Sequence, residues 1–154
     1  MVSDSESEIE MADRAVALNP NSFLTWYSRG WVYRVAGLPE EAVRSFERAI
    51  RLSPIDPLYI DRLGIGFAFI ELGRFDEAIV VAKKALRQNH APSAVYRCLA
   101  SAFAHLGRDA EAREAAARLL EVDPAFTISA RMGRVRRSHV KLLIEGLRKA
   151  GLPE

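Results

Sequence analysis

The chain has 154 residues, 49% of them hydrophobic and 27% charged, with a formal net charge of +2. That composition suits one globular domain, and no apolar run approaches the roughly 20 residues a membrane helix requires. The single cysteine, Cys98, excludes an internal disulfide, and the acidic start MVSDSESEIE lacks the basic and apolar regions of a secretory signal, so a cytoplasmic location is expected.

In chain order, residues 1–8 read as an acidic, flexible N-terminus, and IEMADRAVALNP (9–20) as the second helix of an incomplete helix pair. NSFLTWYSRGWVYRVA then sets Trp26, Gly30 and Tyr33 on one helical face, Gly37 stops that helix, and PEEAVRSFERAIRL sets Ala42, Phe46, Ala49 and Ile50 on one face of the next. Pro39 suits the first turn of the second helix, and Glu40 and Glu41 suit its positive dipole end. The same helix, glycine, helix unit recurs as LYIDRLGIGFAFIEL, Gly73, FDEAIVVAKKALRQ and as SAVYRCLASAFAHL, Gly107, DAEAREAAARLLEV. The turns AGLPEEA, LGRFDEA and LGRDAEA close on alanines 42, 78 and 112, at intervals of 36 and 34 residues. A fixed period in that range marks a stacked repeat architecture. Pro54, Pro57, Pro92 and Pro124 separate the units, and no sustained period-2 alternation predicts a strand, so the fold class is all-α. After Pro124, AFTISARM predicts a short helix and HVKLLIEGLRKAG a final one, whose stripe of Val140, Leu143 and Leu147 is expected to cap the last unit's apolar face.

The units resemble tetratricopeptide repeats. Trp26, Gly30, Tyr33, Gly37, Ala42, Phe46, Ala49 and Pro54 match the repeat pattern; Gly66, Phe69, Gly73, Ala78, Ala82 and Ala85 match it in the second unit, where Arg62 replaces the first aromatic; Tyr96, Ala100, Phe103, Gly107, Ala112, Ala116 and Pro124 match it in the third. The resemblance implies a right-handed superhelical solenoid of antiparallel helix pairs with a C-terminal capping helix. It places a partial repeat at 9–20, repeats at about 21–54, 57–91 and 92–124, and a capping segment at 125–154, all within one domain, 9–154. The phrases NPNS, RLSPIDP, FTIS and EGLRKAGLPE are also similar to the C-terminal region of bacterial class III adenylate or guanylate cyclases. This likeness implies the regulatory part of a nucleotide cyclase. Such regions also follow winged-helix DNA-binding domains, so the sensor part of a transcription regulator is the alternative, and a free-standing scaffold is a third.

No catalytic constellation stands out. Cyclase chemistry needs paired aspartates on strands, and the acidic pairs here, Glu40–Glu41 and Asp76–Glu77, occupy helix starts. His90, His105 and His139 do not pair at metal-ligand spacing, and Cys98 lies seven or more residues from each of them. No phosphate-binding glycine loop is present. The expectation is a non-enzymatic chain with no cofactor, metal, membrane or small-molecule substrate. The basic run between residues 131 and 141 lacks the interleaved aromatics of a nucleic-acid platform and reads as a solvated connection.

In a repeat solenoid the first helices line a concave face. By the family resemblance the groove positions are Leu24, Tyr27, Trp31 and Arg34; Ile60, Leu63, Phe67 and Ile70; and Ala94, Arg97, Ser101 and His105. Tyr27 and Trp31 stand where some members carry a lysine and asparagine carboxylate clamp, so that clamp is absent. An apolar, aromatic groove flanked by Arg34 and Arg97 suits an apolar helix or extended peptide, a second copy of the chain, or packing within the chain itself.

Overall fold

The structure, a computed structural model, describes residues 3–53, 61–88, 92–132 and 139–154. Every regular element among them is helical: α1 (Asp4–Leu18), α2 (Phe23–Val35), α3 (Pro39–Leu52), α4 (Asp61–Glu71), α5 (Phe75–Arg87), α6 (Pro92–His105), α7 (Asp109–Val122), α8 (Ile128–Met132) and α9 (Lys141–Lys149). The connections at 54–60 and 89–91, and most of the basic run, lie outside the described residues.

The glycines of the three repeated turns have φ of +81° (Gly37), +75° (Gly73) and +71° (Gly107), a region that residues with a Cβ rarely enter. Each turn closes with the same pair of bonds. Leu38 N–H reaches Tyr33 O at 2.9 Å while Gly37 N–H reaches Arg34 O at 3.0 Å, and the bonds of Arg74 and Gly73, and of Arg108 and Gly107, repeat that register. This is the 6→1 and 5→2 pattern that satisfies the orphan carbonyls of a helix end. It fixes the angle at which each second helix returns.

α1–α2, α2–α3, α3–α4, α4–α5, α5–α6 and α6–α7 pack in succession, and the first helices α2, α4 and α6 also touch one another. Phe46 shows how small residues allow this. Its ring, 1% exposed, enters the space that side chains on Gly30 of α2 and Gly64 of α4 would fill; a Cβ there would approach it to 2.6 and 2.8 Å. Tyr27 and Trp31 meet the same ring at centroid distances of 6.0 and 5.9 Å. One aromatic thus joins a second helix to two consecutive first helices.

One part of the chain departs from the sequence expectations. The N-terminal helix begins at Asp4, ahead of Ile9, because Ser3 and Glu6 form a reciprocal capping box. The helix is then held by Asp13, which accepts bonds from Arg29 Nε at 2.8 Å and from Tyr33 Oη at 2.9 Å. At the other end, α9 caps the last unit as expected, on its first helix. It lies across the concave side, against α6 and, to a lesser extent, α4.

Candidate functional site

α9 reaches the concave face by a close approach of backbones. A Cβ on Gly146 would press on Ser101 Oγ and lie 2.7 Å from Ser101 Cα, so only glycine fits. Ser101 Oγ donates to Leu143 O at 3.1 Å. His105 Nε2 stands 2.6 Å from Leu142 O; facing a carbonyl, it carries the proton. The His105 ring is also stacked on Phe75 at 4.4 Å. Leu143, Ile144 and Leu147 are buried beneath α9. At the tail's near end His139 Nδ1 donates to Val35 O at 3.1 Å, and at its far end Ile128 N–H bonds Pro153 O at 2.9 Å. The segment therefore spans the groove from α6 to the end of α2.

This arrangement divides the expected groove residues. Ser101 and His105 are on the concave side but face α9, so they do not line an open surface; their hydroxyl and imidazole are already used by carbonyls of the chain. Leu63, Phe67 and Ile70 are buried, the last completely, because α4 is flanked by both neighbouring first helices and by α9. Arg97 and Ala94 are half-buried, and Ile60 lies outside the described residues. What stays accessible is the α2 end: Leu24 is 64% exposed, and Tyr27, Trp31 and Arg34 are half-buried. Phe23, which the groove positions omit, extends this strip by stacking on Tyr27 at 5.7 Å.

Charge is concentrated under the tail. Arg34 and Glu71 form an ion pair at 2.8 Å whose side chains are 11% and 4% exposed. Burial, against the pull of Arg34, raises the Glu71 carboxyl to about 7. Its protonated form is thus favoured by folding, so this group's contribution is full below the ordinary value of 4.5 and is lost as pH rises toward 7. At about 1.4 kcal/mol per unit the loss is a few kcal/mol. Chemical denaturation at pH 4.5, 5.5 and 7 is expected to show that slope in the parent chain and a flatter one in Glu71→Gln; parallel slopes would contradict the assignment. Arg97 is lowered to about 10 by burial and by the neighbouring Arg131 and Arg34, and it remains charged at neutral pH.

Cys98, also considered for chemistry, is packed in the core. The Cys98 thiol is fully buried, and burial raises it to about 12. His90 lies outside the described residues. Among the described residues no three His, Cys, Asp or Glu side chains group as a metal set, and no helix is long and apolar enough to cross a membrane.

The tetratricopeptide repeat profile matches residues 5–124. The chain belongs to the tetratricopeptide repeat family. Among solved structures, a MamA crystal structure aligns with a TM-score of 0.69 and 18% identity over 97% of this chain and 94% of its own. MamA MSR-1 C2 aligns with a TM-score of 0.68 and 26% identity over 78% and 68%. YrrB, described as a tetratricopeptide protein with an unusual peptide-binding site, aligns with a TM-score of 0.65 and 21% identity over 96% and 76%. No curated protein matches the sequence closely. The repeat solenoid is therefore the fold of this chain, and its relatives by fold are repeat proteins of the same build.

Proposed function

We propose that this tetratricopeptide chain is a non-catalytic protein-interaction scaffold that holds an apolar helix or extended peptide at the α2 end of its concave face. One observation carries the reading: the α6 half of that face is occupied by the chain's own α9, while Phe23, Leu24, Tyr27 and Trp31 form an accessible aromatic strip on α2. Aromatic side chains of this kind supply much contact area at low entropic cost and dominate the energetics of binding surfaces. YrrB, with its peptide-binding site, lends support as a protein of the same fold. Attachment to a nucleotide cyclase rests on the likeness of the tail phrases alone, and neither the comparisons nor any group of residues in the structure adds to it.

A photo-crosslinking residue at position 24, in source cells, is expected to capture one defined protein, and the product is expected to disappear with Tyr27→Ala. Position 80, equally exposed on α5, is the control. Equal capture from both positions would overturn the scaffold reading. Capture of a second copy of this chain would replace the foreign partner with self-association through the same strip.

A further inference from the structure

Beneath the tail is a partly open cavity of about 190 Å³, lined by Trp31 and Arg34 of α2, Phe67 of α4, Arg97 of α6, Arg131 and Met132 of α8, and Val140 and Leu143 of the tail. Three arginines from three different helices meet there. Arg34 is paired with Glu71, and Arg131 with Asp123 at 2.7 Å, whereas Arg97 has no ion-pair partner among the described residues. The Phe67 ring holds the guanidinium carbons of Arg34 and Arg97 at 5.1 and 5.5 Å from its centre. Trp31 Nε1, Arg34 Nε and Arg97 Nε are buried and have no hydrogen-bond acceptor among the described residues. Buried donors in folded proteins are almost always satisfied, so a set without acceptors around one cavity needs an explanation.

We propose that this cavity is a binding site for a small organic carboxylate with a short apolar body. The charge and the orphaned N–H groups supply what a carboxylate needs, since guanidinium forks match its geometry and charge-assisted bonds are the strong ones. Trp31, Phe67, Met132, Val140 and Leu143 supply apolar walls that a fully hydrated inorganic anion would not use. The volume suits a molecule of a few carbons and excludes a peptide. The ligand would touch the tail and the repeats at once, which makes its binding a stabiliser of the docked tail. Trp31 is the one residue this site shares with the α2 strip, and the cavity stands whether or not that strip holds a partner.

The two tryptophans provide an internal test. Trp31 lines the cavity with a free indole N–H, whereas the Trp26 indole donates to Pro20 O at 2.8 Å. Titration of the full chain with valerate is expected to shift the Trp31 indole resonance, leave that of Trp26 in place, and raise the melting temperature. Valeramide, the neutral isostere, is expected to do neither. Arg97→Gln should weaken valerate by about tenfold or more, in keeping with loss of a charged hydrogen-bond donor. Arg131→Gln, at a more exposed position, gives a second reading if the first variant folds poorly. An unmoved Trp31 resonance at millimolar valerate, or an equal shift with valeramide, would overturn the proposal. Inorganic phosphate binding as well as valerate would overturn the choice of an organic anion.

Discussion

Gly146→Ala is expected to destabilise the protein by about 1–3 kcal/mol, the usual cost of forcing volume into a packed interface. Helix propensity alone predicts the opposite sign, because alanine in a helix interior is favoured over glycine by about 1 kcal/mol. Packing wins because the new methyl would meet, besides Ser101 Oγ, the backbone atoms Ser101 Cα and O, both 2.7 Å away, which cannot swing aside. α9 must then lift, breaking the bonds from Ser101 and His105 and exposing Leu143, Ile144 and Leu147. Gly66→Ala is the matched control, since its methyl would meet Cys98 Sγ at 3.4 Å and Val81 Cγ1 at 3.6 Å, near ordinary contact. Denaturant unfolding of both variants decides the matter, with amide exchange in α9 locating the change. A stabilised Gly146→Ala chain would mean that α9 does not dock on α6 at this spacing.

Phe46→Ala is expected to have the largest effect, a loss of about 3–5 kcal/mol, the range for deleting a buried aromatic. Collapse into the void is difficult at this position. The facing residues are Gly30 and Gly64, which have no side chains to move inward, and Tyr27 and Trp31 are packed edge-on or tilted against the ring. The same loss would disturb the α2 strip, so Phe46→Leu is a useful companion that should retain more of the stability. A Phe46→Ala chain with a denaturation midpoint close to the parent's would show that the ring is not the link between α2, α3 and α4.

The repeats were legible in the sequence because local chemistry specifies them. A glycine at each turn and small residues at helix crossings leave one way for each pair to close, and Gly37, Gly73 and Gly107 close alike. The capping box was also legible in principle, as Ser3 and Glu6 at the required spacing, but a run of acidic residues reads more readily as a solvated tail. That α9 caps the last unit was legible, but not which helix of that unit it covers. Its apolar stripe announces a buried face, yet periodicity does not say which surface does the burying when the partner is distant in sequence. A further signal lay in Ala150-Gly151-Leu152-Pro153-Glu154, which repeats Ala36-Gly37-Leu38-Pro39-Glu40 residue for residue. Gly151, with φ of +88°, ends α9 with the same two bonds that end α2. α9 is thus written as a first helix of a unit, and first helices are the ones that line the concave side. Ser101 and His105, read from the repeat pattern as groove positions, have carbonyls of the tail as their neighbours.

The bond from His139 to Val35 joins residues 104 apart in the chain. In a plain repeat array each unit touches only its neighbours, so the ends can fray while the middle survives. Here the last segment clasps the first full unit, and a linear stack acquires the closure of a globular domain. Loss of either end is then felt at the other, and the stack gains all-or-none cohesion. Closing so long a loop costs more chain entropy than any contact within a repeat.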